Sequence, residues 1–171
     1  MIKFTANNKS FNVINELNEL KVSKFKELLG ITTNLKMSNI NKEIALIGLL
    51  SDKSMTEEDL DCIDMDEFDG LMKKLNMSEA NDLTIKESVE YDGVGYKLKG
   101  NPEDFKFSVA QMNNISKAMA MDTNDYIHKM MSFIYVSDDT SAKQREDVFY
   151  DNMTMDVVIP FIMILSKKYG K

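Results

Sequence analysis

The chain has 171 residues, 43% of them hydrophobic and 29% charged, with a formal net charge of -7. That size and apolar share suit one globular domain or two small ones. The negative balance, with lysines scattered rather than gathered into a stripe, argues against unassisted binding to nucleic acid. The single cysteine, Cys62, excludes an intramolecular disulfide and fits a reducing compartment.

In chain order, residues 2–13 read as a β-hairpin. KFT and FNV flank a polar ANNK turn, and Asn tolerates the left-handed conformation that such turns need. Residues 20–30 form a helix with Val22, Phe25, Leu28 and Leu29 on its apolar side and Gly30 as its stop. Residues 41–51 are apolar on nearly all sides, which predicts a buried helix. A short helix then starts from Thr56, with Asp59 three positions on as the reciprocal cap. Asp64 caps the next helix, whose inner stripe is Phe68, Leu71, Met72 and Leu75; its acids fall in the first turn and its lysines in the last, as the helix dipole favours.

Residues 78–82 are polar and loop-like. Residues 88–100 predict a second hairpin turning at DGVG, with Val89, Tyr91, Tyr96 and Leu98 as strand residues. Helices follow over 108–121, 124–137, 142–152 and 155–170. Pro160 falls within the last of these, harmless in a first turn but disruptive in an interior. The apolar run 157–165 is far shorter than the roughly 20 residues a bilayer crossing needs, and no long apolar stretch near the N-terminus suggests a secretory signal.

The two halves share an order of elements, which predicts an internal repeat. Val22, Phe25 and Leu28 align with Val109, Met112 and Ile115. Ser51-Asp52 falls on Ser137-Asp138, Met65-Asp66 on Met155-Asp156, Leu71 on Phe161 and Leu75 on Leu165. The expected fold is therefore α+β and mostly α-helical, with two pseudo-repeats, each a β-hairpin followed by three to four helices. The expected boundaries are 1–77 for the first repeat, 78–87 for a linker and 88–171 for the second, with the two able to pack as one domain.

The acidic stretch 51–70 invites a calcium reading. A calcium-binding loop begun at Asp64 would put Phe68, Asp69 and Leu75 where it needs an oxygen ligand, a Gly and a bidentate Glu. Begun at Asp59, it would put Ile63 and Asp64 at the first two of those places. The acids read instead as two consecutive helix starts, and no metal is expected. His128 is the only histidine, so no His cluster can hold zinc. A lone Cys62 is more often a small hydrophobe than a nucleophile. No phosphate-binding, dinucleotide-binding or nucleophile-elbow motif occurs. The expectation is a protein that is not an enzyme and has no cofactor.

Methionine is the feature left over. Of 14 in the chain, many lie in the second half, and flexible thioethers let a surface adapt to varied apolar partners. Met119, Met121, Met130, Met131, Phe161 and Met163 are the candidate partner-binding residues.

Residues 43–75, EIALIGLLSDKSMTEEDLDCIDMDEFDGLMKKL, carry the pattern Asp59-Leu60, Ile63-Asp64, Asp66 to Phe68, then Leu71. With the preceding strand pair and the LKV helix start, this resembles the small tail assembly chaperones of tailed bacteriophages over roughly the first 76 residues. The resemblance implies a non-catalytic protein in the host bacterial cytoplasm, coating the apolar helices of the tape-measure protein until the tail tube assembles, with no nucleic-acid or membrane partner. An alternative is a structural subunit of the virion, such as a neck, ring or tail-completion component, forming a homo-oligomer through apolar helix faces. A third is a small regulatory protein that binds a host factor.

Overall fold

The computed structural model describes residues 1–75, 84–120 and 126–169. The expected loop at 78–82 and the first part of the expected linker lie outside the described residues. The fold is α+β and mostly helical, with two small antiparallel sheets. The chain divides into two compact units: Met1–Leu20 with Glu27–Asn81, and Lys21–Lys26 with Asp82–Lys171.

The first unit opens with strands β1 (Ile2–Ala6) and β2 (Lys9–Val13), paired antiparallel with Phe4 opposite Phe11. Asn7 and Asn8 alone make the turn, at φ 49 and 58. Two positive φ values in a two-residue loop match the right-handed twist of the flanking strands, so Ala6 and Lys9, expected in the turn, belong to the strands. The Phe4 and Phe11 rings stack at 5.2 Å on one face of the hairpin. A 3-10 turn (Leu17–Glu19) leads to α1 (Val22–Thr33).

This helix runs through Gly30, where the sequence suggested a stop. A glycine ends a helix by taking a left-handed conformation, and Gly30 has no positive φ. Thr32 and Thr33 close the helix instead, their hydroxyls donating back to the carbonyls of Leu28 and Leu29. Ser38 then caps α2 (Asn39–Leu50), α3 (Glu57–Asp61) carries the expected capping box of Thr56 and Asp59, and α4 (Met65–Lys74) has its expected cap at Asp64.

Ile47, Phe68 and Leu71 form a buried cluster joined by the partly buried Phe4, Met72 and Leu75. The inner stripe read for α4 is therefore the face that packs. α2 departs from expectation. Only Ile47 and Leu50 are buried along it, whereas Ile40 is exposed and Leu46 and Leu49 are half-buried.

The second unit begins with β3 (Ser88–Tyr91) and β4 (Val94–Leu98). Their turn is Asp92-Gly93, at φ 53 and 76; Val94 and Gly95, expected in the turn, are strand residues. A 3-10 turn (Pro102–Asp104) and α5 (Val109–Ala120) follow, the latter capped reciprocally by Ser108 and Gln111.

Next come α6 (Tyr126–Ile134), the short strand β5 (Tyr135–Val136), α7 (Ala142–Asn152) and α8 (Met155–Tyr169). The sequence carried the sixth helix on to residue 137. It ends three residues sooner because Tyr135 and Val136 pair with Leu98 and Lys97 on the open edge of β4. An aromatic and a β-branched residue fit a pleated surface better than a frayed helix end. Pro160 lies inside α8, beyond its first turn, on a buried face.

The second core is aromatic. The Phe149 ring stands edge-on to Tyr96 at 4.9 Å and to Tyr91 at 5.9 Å, and Tyr135 meets Phe161 at 5.8 Å. The Tyr135 hydroxyl donates to the Lys86 carbonyl at 2.6 Å, and burial pushes its pKa up to about 12.

The contrast within α2 is measurable. Ile47→Ala should lower the urea-unfolding free energy by about 2–5 kcal/mol, because it opens a cavity in a packed cluster. Ile40→Ala, two turns earlier at the exposed start of the helix, should change it by no more than about 0.5 kcal/mol. Urea titrations followed by far-UV circular dichroism distinguish the two.

Candidate functional site

The acidic stretch contains one residue unlike the rest. Most of its carboxylates are exposed, but Asp59 is fully buried. Within its own helix it completes the capping box, with its Oδ2 accepting from the Thr56 N–H at 3.0 Å. It also reaches the first hairpin. Lys9 Nζ donates to Oδ1 at 2.8 Å and to Oδ2 at 3.1 Å, and Asn7 Nδ2 donates to Oδ1 at 3.2 Å. A buried carboxylate demands such satisfaction. The Lys9 ammonium, then the Thr56 amide, hold its carboxyl well below the usual range despite the opposing effect of burial. Asp59 is thus an anchor between α3 and the β1–β2 turn, a role that acidic spacing in the sequence does not reveal.

Nearby, Asp52 plays a similar part at the other end of the hairpin. It accepts from the Asn12 N–H at 2.9 Å and from the Asn12 side-chain amide at 2.6 Å, which lowers its pKa. Among the described residues no group of three His, Cys, Asp or Glu side chains is placed to hold a metal ion.

His128 and Tyr150 face each other edge-on at 5.2 Å. They lie in an open cleft of about 680 Å³ between α6 and α7 that Lys129, Lys143, Glu146, Asp147 and Asp151 also line. Lys143 Nζ donates to Asp147 Oδ1 at 2.7 Å, one turn away, and lies 3.9 Å from Glu146. The hydroxyl of Ser132 on α6 is committed to the Lys129 carbonyl at 2.7 Å. Cys62 is exposed in the first unit. The sole arginine, Arg145, is structural: its Nε donates to the Ser132 carbonyl at 2.9 Å, and its Nη1 to the Thr140 carbonyl. It fastens α7 to the end of α6. Among the described residues, the cleft presents no nucleophile aimed at a base.

The candidate partner-binding residues separate by burial. Met130, Met131 and Phe161 are sealed in the second unit's core, so they are corrected to packing residues: a side chain enclosed by its own fold has no surface to offer. Met153 and Met155 are buried as well. Met163 is exposed on α8. Met119 lies on α5, with its side chain outside the described set, and Met121 lies outside the described residues.

The exposed apolar side chains that sequence reasoning missed are Leu35 and Ile40, beside and on α2, together with Met65 and Val109. Leu35, in the connection between α1 and α2, is almost wholly exposed. A helix apolar all round was the available signal. It pointed to the wrong conclusion because hydropathy alone does not say how far along the helix the cover extends, and Ile40 lies in the first turn, two turns from the buried Ile47.

The chain matches no family model, no curated protein and no solved structure. No described helix is long and apolar enough to cross a membrane.

The Asp59 anchor gives a pH-dependent prediction. A depressed carboxyl pKa contributes stability above the unfolded value near about 4, and that contribution is lost as pH falls towards the folded value. Asp59→Asn should therefore lower the urea midpoint at neutral pH, and the gap from the native chain should narrow as pH drops below about 4. A gap that stays constant from neutral to acid pH would show that the Asp59 charge contributes nothing.

Proposed function

We propose that the chain is a non-catalytic assembly protein of a tailed bacteriophage, acting in the host cytoplasm as a tail assembly chaperone that holds apolar helices of the tape-measure protein. The observation that carries this reading is α2. Its apolar residues run around the whole helix, yet only Ile47 and Leu50 are buried, leaving Ile40 and the neighbouring Leu35 in water. Apolar surface kept exposed beside a packed core marks a site for another polypeptide. The natural ligand for such a face is an amphipathic helix, recognised through its apolar stripe. The negative charge keeps the loaded complex soluble. The client face is thus the α1–α2 connection and the N-terminal end of α2, in place of the buried methionines of α6.

The second reading, a structural neck, ring or tail-completion subunit, is favoured by a different observation. Met65 and Val109 are exposed apolar residues carried by other helices, α4 and α5, and a subunit that tiles needs contact surface at more than one place.

Co-expression with a tape-measure protein from the same phage genome tests the first reading. The tape measure should become soluble and co-purify, and the double substitution Leu35→Asp with Ile40→Asp should cut its recovery about tenfold, equivalent to roughly 1.4 kcal/mol of binding. Recovery that is nil, or unaffected by the substitutions, rejects it. Mass spectrometry of purified virions addresses the second reading: a structural subunit is present at fixed copy number, and a chaperone is absent.

A further inference from the structure

Compared element by element, the two halves of the chain, residues 2–74 and 88–169, run in the same order: hairpin, 3-10 turn, two helices, a backbone return to the hairpin's second strand, two more helices. The details agree as well. Each hairpin has a two-residue turn of positive φ, Asn7-Asn8 and Asp92-Gly93. Each return is fastened by one equivalent hydrogen bond, from the Ile14 N–H to the Leu50 carbonyl at 3.0 Å and from the Lys99 N–H to the Ile134 carbonyl at 2.8 Å. The third helix of each unit carries a capping box, Thr56 with Asp59 and Ser141 with Gln144. The first helix of each series starts at a valine, Val22 or Val109, and the last at a methionine, Met65 or Met155. The backbone pairing sets Ser51 against Tyr135, two residues from the match with Ser137 that the sequence suggested.

Core burial obeys this equivalence: Leu50 and Ile134, Phe11 and Tyr96, Leu71 and Phe161 are all buried. Two departures fall on apolar residues that open helices. Val22 is 1% exposed, whereas Val109 is 89% exposed. Met155 is 1% exposed, whereas Met65 is 59% exposed. The covered pair has a visible cause. The Val22 N–H donates to the Met153 carbonyl at 2.9 Å, and Lys21 forms an antiparallel bridge with Thr154. The start of α1 is therefore laid on the α7–α8 junction, against the residues that lead into Met155. The corresponding start of α5, at Ser108-Val109, and the corresponding α3–α4 junction, at Ile63-Asp64 ahead of Met65, are the places left open.

We propose that these two open places bind each other between copies of this chain. The Ser108-Val109 segment of one copy lies antiparallel on Ile63-Asp64 of the next. The Val109 N–H donates to the Ile63 carbonyl, and the contact covers the side chains of Val109 and Met65. The first amides of a helix have no partner inside it, and Val22 already solves that need in this way. The charges are complementary: Lys106 is exposed beside the donor segment, and Asp61, Asp64 and Asp66 are exposed around the acceptor. The contact is heterologous, so each copy carries one donor and one acceptor, and the assembly closes into a ring or extends. The partner is a second copy because the complementary halves are the two that this sequence itself presents.

Sedimentation velocity on the full chain tests this with Val109→Asp, Met65→Asp and their mixture. Both positions are exposed, and circular dichroism checks that each variant keeps its helices. The native chain should associate beyond a dimer as its concentration rises. Each variant should need a concentration at least about tenfold higher, since a charge then sits in an apolar contact. The equimolar mixture should form a one-to-one dimer and stop, because one variant keeps its acceptor and the other its donor. A native chain that stays monomeric up to about 1 mM, variants that associate like the native chain, or a mixture that stays monomeric would each overturn the proposal.

Discussion

A two-stranded hairpin is marginal in water because it buries too little apolar surface to hold its own register. Both hairpins of this protein meet that limit in the same way, by recruiting backbone that returns after the second helix of the unit. Ser51 pairs with Val13, and Tyr135-Val136 pairs with Leu98 and Lys97. The return ties the start of each unit to its middle. It sets where the second helix must end, and it places Ile47 and Leu50 in one unit, and Met131 and Ile134 in the other, among the buried residues. The remaining helices pack around what this pairing creates.

The two units stabilise their hairpins with different chemistry beyond that pairing. The first uses charge. Asp59 takes Lys9 and Asn7 at the turn, and Asp52 takes Asn12 near the strand end. The second uses rings: Tyr91 and Tyr96 on the hairpin pack against Phe149 of α7, while Tyr135 reaches Lys86 through its hydroxyl. Carboxylate anchors weaken as acid protonates them, whereas ring packing does not titrate near neutral pH.

Much of the fold was legible because it rests on local rules. Thr56 with Asp59, and Asp64 ahead of Glu67, are capping chemistry written within four residues, and both are present. The spacing of Phe68, Leu71, Met72 and Leu75 marks the packed face of α4. The misreadings came from non-local competition. Tyr135 and Val136 read as helix until an open strand edge competes for them, and Gly30 reads as a stop only if no better closure lies ahead. The fate of Asp59 depends on Lys9 and Asn7, about fifty positions away, and no periodicity carries that information. The candidate binding residues fared worse for the same reason. Methionine count says that a flexible apolar side chain exists, not whether the fold encloses it.

Met65 and Met155 show how far that limit goes. Each opens the last helix of its unit, and each is followed by an aspartate. One is nonetheless buried and the other exposed. The difference lies in a segment remote in sequence, the start of α1, which bonds to Met153 and bridges to Thr154 on one junction. Val22 and Val109 repeat the lesson from the other side of the contact. Exposure at Val109 and Met65 therefore follows from which segments of the chain are laid against each helix start, which no run of neighbouring residues encodes.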